Sequence, residues 1–346
     1  MKALVYSQVG RVEVQDRPKP TIKASTDAIV KLTYTTICGT DLHIQKGDVA
    51  SVPLGRVLGH EGVGIIEDVG STVSQFKKGD VVIISCISSC GTCEYCRRGM
   101  PSHCTTGGWV LGNEIDGTHA EYVRIPHADS SLYHVPRDTK DPSSLVTISD
   151  TYPTAFECGT LNGKIKPGST VAVVGSGPIG LGVVVTAKFY SPAKIIAIDM
   201  DANRLNIASS MGADAVINGT TTDVTTAVME LTGGKGCDTV VEAVGVPATF
   251  ELCQKILAPG GVLANIGVHG ANATLFLDEL WSKNITITTQ LVDAVTTSTL
   301  IKMVEANKLH PGRMITHKFK FGEIENAYKT FGAAAQHNAL KILIEM

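Results

Sequence analysis

The sequence predicts an α/β chain in which a parallel sheet covered by helices on both faces is joined to a second, β-rich part. Three observations carry this. From about residue 165, six apolar runs alternate with segments of helix length. The first 125 or so residues instead hold short β-branched runs cut by Gly, Pro and Asp. Glycine, at 35 of 346 residues, exceeds its usual share of about 7%, and without a collagen period that means many tight turns and close backbone approaches.

In chain order, the runs at 28–32, 63–69 and 81–85 read as strands of the β-rich part. The later strands are VAVVG (171–175), KIIAID (194–199), DAVI (214–217), DTVVEAV (238–244), GVLANI (261–266) and ITITT (285–289). Helices are expected between them at 179–190, 202–211, 224–231, 249–257 and 277–282. Strands without alternating polarity, spaced by helices, are buried on both faces and therefore parallel. The expected division is 1–152 with a cysteine lobe at about 86–108, then 153–290, then 291–346 returning to the first part.

Thirty basic against 33 acidic side chains give a net charge of −3, so a nucleic-acid or anionic-membrane partner is not expected. Ordinary charge and a mean hydropathy of +0.14 argue for a folded chain rather than disorder. No run reaches the roughly 18 apolar residues of a membrane helix, and the start has no signal-length apolar stretch. A cytoplasmic location is expected.

Nine cysteines, an odd number, include five within residues 86–104, and in a reducing compartment such clusters more often bind metal than each other. Cys90, Cys93, Cys96 and Cys104 can reach one tetrahedral zinc, and four sulfurs leave no open position, so that site is expected to be structural. Cys38-Gly-Thr40-Asp41-Leu-His43 and Gly59-His60-Glu61 offer a thiolate and an imidazole. With one further ligand they would leave a position open, as catalytic zinc requires. Cys86, Cys237 and Cys253 read as small buried hydrophobes.

Gly175-Ser176-Gly177-Pro178-Ile179-Gly180 directly follows VAVV and opens a helix, and a second strand ends in Asp199. Backbone N–H groups at such a helix start cradle a pyrophosphate. An acid at the end of the second strand accepts from the adenosine ribose hydroxyls and repels a 2′-phosphate, so NAD is expected over NADP.

Gly59-His60-Glu61-x-x-Gly64, five residues, then Gly70-x-x-Val73 resembles the zinc signature of the zinc-dependent medium-chain alcohol dehydrogenases. The four-cysteine spacing and the glycine fingerprint match the same family, and the resemblance runs from Met1 to Met346. It implies a β-rich GroES-like catalytic domain with a structural-zinc lobe and a Rossmann-type doubly wound sheet for the cofactor. It makes Cys38 and His60 catalytic zinc ligands and Glu61 a nearby acid able to swing in. Many members place a cysteine ligand 25 residues before the first fingerprint glycine. Here that position is Asp150, which is similar to the bacterial secondary-alcohol branch. Cys158, eight residues later, is the rival. Trp109 resembles that branch's pocket tryptophan. Thr40 and His43 match the family's proton relay, and Asp41 reads as a turn or supporting group. Arg204 is implied beside the adenine, Val244, Gly245, Gly267 and Val268 at the cofactor end of the sheet, and Lys341 at the pyrophosphate.

The expected activity is reversible hydride transfer between NAD and a small, mostly secondary, alcohol, with two zinc ions per chain in a homotetramer. The alternatives are a polyol or amino-alcohol dehydrogenase on the same scaffold and, from another class, a non-catalytic zinc and nucleotide-binding module. A nucleic-acid zinc ribbon is disfavoured because the lobe has only Arg97 and Arg98 as adjacent basic residues. A zincless quinone reductase is disfavoured by the ligand set.

Overall fold

A computed structural model describes all residues from Met1 to Met346. In chain order its strands are β1 (Lys2–Gln8), β2 (Arg11–Asp16), β3 (Ala28–Thr36), β4 (Gly62–Val69), β5 (Val81–Ile84), β6 (Tyr122–Ile125), β7 (Leu132–His134), β8 (Thr170–Val174), β9 (Lys194–Asp199), β10 (Ala215–Asn218), β11 (Cys237–Glu242), β12 (Leu257–Asn265), β13 (Thr286–Thr289), β14 (Ile315–Lys320) and β15 (Lys341–Glu345). The chain divides into two compact units, Met1–Pro153 with Asp293–Met346, and Thr154–Val292.

In the first unit, β14-β15-β3-β4-β5-β7 form one sheet, with β6 also on β3, and β1 pairs β2 as a separate hairpin. The sheet is antiparallel except where β14 runs parallel to β15. Val30, Leu32, Ile66, Val82, Ile84 and Val123 fill one core. A second core sets Leu4, Ile37, Ile44 and Leu58 against Ile324, Tyr328, Ile342 and Ile344. The C-terminal segment therefore completes the unit that the N-terminal segment begins.

The second unit is wholly parallel, in the order β10-β9-β8-β11-β12-β13. Its central strands Val171–Val174 and Val240–Val241 are buried, which is why their sequence lacks alternation. The order reverses at β8, so β8 and β11 flank the switch point where such sheets bind ligands beyond their carboxyl ends.

Several bounds differ from expectation. The first crossover helix is Pro178–Ala187, closed by a 3₁₀ turn at Lys188–Tyr190, where Ser191 turns left-handed at φ 50°. β12 starts at Leu257, ahead of the apolar GVLANI run, because Leu257 already pairs with Cys237, and Ala-Pro-Gly-Gly bulges out before pairing resumes between Val262 and Thr239. The segment expected as a helix at 277–282 is helical only at Leu277–Leu280. No helix is long and apolar enough to cross a membrane.

Candidate active site

Cys90, Cys93, Cys96 and Cys104 converge, with their sulfurs all within 4.8 Å of one another. Cys90 and Cys96 are 4.0 Å apart, close to the about 3.8 Å that a tetrahedron with 2.3 Å zinc–sulfur bonds requires. Backbone N–H groups aim at the sulfurs: Cys90 donates to Cys104 at 3.2 Å and Cys93 to Cys90 at 3.3 Å. Burial opposes a thiolate at Cys90, but the Thr92 N–H and hydroxyl and the Cys93 N–H bring its pKa down to about 5. Cys93 is drawn to about 7 by backbone N–H groups of Cys96 and Thr105. Burial and its thiol neighbours push Cys96 up to about 12. Four sulfurs packed this closely cannot all ionise alone, and a dication removes that conflict. Cys86 lies outside the group.

The second cluster is Cys38, His60, Glu61 and Asp150, again with one ligand atom each within 4.8 Å. Cys38 follows β3 and caps the helix Gly39–Lys46. His60 and Glu61 precede β4, and Asp150 lies within a run of buried residues from Ser143 to Pro153. His60 Nε2 lies 3.5 Å from Asp150 Oδ2, and Cys38 Sγ lies 3.8 Å from the same oxygen. Burial alone would strip the proton from His60, but Asp150, Cys38 and Asp41 outweigh it and raise its pKa well above the ordinary 6.5. The pocket thus gathers groups that favour positive charge around one point, a donor set that could hold a cation. Cys158 lies in a separate π-helical turn, Ala155–Leu161, and is not of this group.

The surroundings hold these donors. Asp41, fully buried, accepts from the N–H of Cys38 at 2.8 Å and of Gly59 at 3.2 Å, and its Oδ1 stands 3.9 Å from His60 Nδ1. Glu61 accepts from the Lys341 ammonium at 2.6 Å and the Thr151 hydroxyl at 3.3 Å. Lys341 also donates to the Ile37 carbonyl at 3.2 Å. The resemblance sends Lys341 to the cofactor pyrophosphate. The structure instead buries it at 2% exposure against Glu61, because an ammonium this deep needs a carboxylate partner. His119 was not expected at all. It sits against Gly59, where a Cβ would overlap its ring. It bridges the Thr36 carbonyl at 3.1 Å and the Tyr328 hydroxyl at 3.0 Å. The carbonyl can only accept, so Nε2 carries the proton and Tyr328 donates to Nδ1.

Thr40 lies with its hydroxyl 3.7 Å from Cys38 Sγ. His43 faces solvent at 44% side-chain exposure, its Nδ1 3.0 Å from Asp48 Oδ2. Asp48, which sequence reading missed, lies five residues on, just past the helix. Trp109 meets the His60 ring edge-on, centroids 6.3 Å apart, and its indole N–H is buried without a hydrogen-bond partner.

In the second unit Gly175 has φ +98°, and a Cβ at Gly180 would overlap the Gly175 carbonyl, so both positions demand glycine. Gly177 precedes the helix in extended conformation and Pro178 opens it, leaving the N–H groups of its first turn, including Ile179, without intrahelical partners. Asp199 ends β9, accepting from Ser176 N at 2.6 Å, Met200 N at 2.7 Å and Asp201 N at 2.9 Å. Arg204 stands in the first turn of the helix Ala202–Met211, its N–H on Asp201. Val244 and Val268 are 46% and 66% exposed at the carboxyl ends of β11 and β12. Beneath them is Glu242, fully buried, another residue missed in the sequence. It accepts from Val244 N at 3.1 Å, Gly245 N at 2.9 Å and the Thr249 hydroxyl at 2.6 Å. A Cβ at Gly267 would overlap both Gly245 N and this carboxylate. The acid therefore ties together the two loops that bear Val244, Gly245, Gly267 and Val268.

A β-rich unit with two convergent metal-type donor sets, and a parallel sheet with a glycine fingerprint, define a metal-dependent oxidoreductase. Comparison with known proteins agrees. Residues 24–137 match the alcohol dehydrogenase GroES-like domain and residues 178–306 the zinc-binding dehydrogenase domain. An alcohol dehydrogenase of Cupriavidus necator is 38% identical across 100% of this chain and 98% of its own. The NADP-dependent isopropanol dehydrogenase of Thermoanaerobacter brockii is 31% identical across 95% of both. The apo form of zinc dependent alcohol dehydrogenase 2 from Streptococcus pneumonia superposes with a TM-score of 0.95 at 50% identity, covering 100% of this chain and 98% of that one. The chain belongs to the medium-chain, zinc-dependent alcohol dehydrogenase family.

Proposed function

We propose that this alcohol dehydrogenase binds two zinc ions per chain and uses NAD to interconvert small, mostly secondary, alcohols and their ketones. The observation that carries this reading is the convergence of Cys38, His60 and Asp150 within 4.8 Å. Those three would hold the catalytic zinc, with Glu61 in reserve, and Cys90, Cys93, Cys96 and Cys104 the structural one. Bound zinc supplies a Lewis acid for the alcohol oxygen, and the nicotinamide a hydride acceptor.

The chain's own residues supply the rest. Thr40 would accept the substrate hydroxyl proton as it passes its own on through the cofactor ribose, and His43, exposed to water, would release it to solvent, with Asp48 orienting the imidazole. Trp109 would line the pocket and exclude water. Gly175, Gly177, Pro178, Ile179 and Gly180 would hold the pyrophosphate, Asp199 the adenosine ribose and Arg204 the adenine. Val244, Gly245, Gly267 and Val268 would face the nicotinamide half. The three N–H groups fixing Asp199 support NAD over NADP, since a carboxylate so held cannot turn away from a 2′-phosphate. This contrasts with the NADP dependence named for the T. brockii relative.

The reading extends to a cytoplasmic homotetramer. Reduced cysteine clusters support the compartment. The outer strand β13, with Trp281 79% and Leu277 62% exposed beside it, supports sheet pairing between copies about a two-fold axis.

The deciding experiment is zinc content together with NAD⁺-dependent oxidation of 2-butanol, in the wild type and Asp150→Ala. Two zincs falling to about one, with activity lost, is the expected result. Survival of both zincs and of activity removes Asp150 from the ligand set. A strong preference for sorbitol or threonine would overturn the alcohol class.

A further inference from the structure

His269 follows Gly267 and Val268 on the loop beyond β12 and was given no role by its sequence. Its ring is fixed from three sides. Phe250 meets it edge-on, centroids 5.9 Å apart at 85°. Asn265 Nδ2 donates to the Gly267 carbonyl at 3.2 Å, which turns Asn265 Oδ1 towards His269 Nε2 at 2.9 Å. An amide oxygen can only accept, so Nε2 carries the proton. Glu242 Oε2, 3.7 Å from the same nitrogen, favours that arrangement. In the neutral ring, Nδ1 is then a bare acceptor. It is buried and meets no donor in the chain, although buried polar atoms are ordinarily paired and an orphan calls for an explanation.

Its place in the sheet supplies one. β9 and β8, carrying Asp199 and the glycine fingerprint, lie on one side of the switch point, and β11 and β12 on the other. A dinucleotide with its adenosine at Asp199 and its pyrophosphate at Gly177 must lay its second nucleoside over the carboxyl ends of β11 and β12. That nucleoside carries two ribose hydroxyls and a carboxamide N–H₂, all hydrogen-bond donors. We propose that His269 is a cofactor-binding residue whose Nδ1 accepts a hydrogen bond from the nicotinamide nucleoside, with Asn265 and Glu242 holding the tautomer that allows it. The proposal rests on reading this sheet as the NAD site.

The test titrates the full-length protein with NADH, ADP-ribose and ADP. His269→Phe keeps a flat ring but removes the acceptor, His269→Ala removes both, and His269→Gln keeps an acceptor. The Kd for NADH should rise about 3–10-fold in the first two variants, the loss expected for one hydrogen bond, and recover in part with Gln. The Kd for ADP, which lacks this nucleoside, should not change. ADP-ribose behaving like NADH assigns the ribose hydroxyls as donors, and behaving like ADP assigns the carboxamide. An unchanged NADH Kd in Phe and Ala, or NADH and ADP weakened by the same factor, overturns the role of His269. A wild type that binds neither NADH nor ADP overturns the NAD reading itself, and the assignment of His269 falls with it.

Discussion

Asp41 supports three parts of one candidate metal site: the N–H of Cys38, the N–H of Gly59 and the Nδ1 side of His60. A carboxylate behind a ligating imidazole fixes its orientation and raises its basicity. Asp41→Ala should weaken zinc at the Cys38 site by about 10–100-fold while sparing the four-cysteine site. Competition with a chromophoric chelator resolves the two populations, and equal affinities before and after would remove the role. Lys341 makes a different case. Removing one member of a buried ion pair strands the other, so Lys341→Met should cost about 3–5 kcal/mol of stability. Adding Glu61→Gln should restore much of it. If denaturant melts show the double variant no better than the single, the pair is not what Lys341 serves. The ligand types at 38, 60 and 150 were legible in the sequence, the last by resemblance. The partners of Glu61 and Asp41 were not, since Lys341 stands 280 positions from Glu61 and no local pattern links them.

At the scale of elements, the four-cysteine lobe has little regular structure to hold it, only the short helices Glu94–Arg97 and Pro101–His103. On the proposed two-zinc reading its order comes largely from cross-linking through metal. Cys96→Ser should therefore release one zinc per chain and lower Tm, and an unchanged metal count would exclude the site. Elsewhere the turn after Val73 depends on Asp129, which accepts from Ser74 N, the Ser74 hydroxyl and Gln75 N. Partial burial opposes its charge, but these donors hold its pKa below the ordinary 3.8. Its contribution is therefore complete above pH 4 and is lost as the pH falls through the lower folded value. Asp129→Ala should cost about 1–2 kcal/mol near neutrality, and the gap from wild type should narrow in acid. A gap independent of pH would mean packing, not charge. The parallel strands were readable as elements because burial on both faces makes them continuously apolar. β14 escaped notice because its ITHKFK pattern, half-buried and exposed by turns, pairs with a strand from another stretch of chain.

For the whole molecule, the notable feature is that the C-terminal segment from Asp293 returns to the unit begun at Met1. β15 lies between β14 and β3, and Tyr328 reaches His119 beneath the metal donors. Truncation before β15 should therefore disturb the metal site, not just the tail, and zinc loss from such a variant would show it. In solution the particle should have about four times the chain's mass of 36.5 kDa, read by light scattering, and a monomer would sink the tetramer. By itself the sequence marked out the four-cysteine cluster, Cys38 and His60 as candidate donors, the glycine fingerprint with Asp199, and the parallel sheet. Each is written in short spacings or continuous apolar runs, which local sterics and burial translate directly into structure. Only the tertiary structure decided that Lys341 pairs with Glu61, that Tyr328 and His119 brace the loop at Gly59, and that Glu242 and His269 order the loops over β11 and β12. Those contacts join buried polar groups that are mostly far apart in the chain. Such groups find partners only when the sheets bring them together, and the cost of leaving any of them unpaired then holds the arrangement in place.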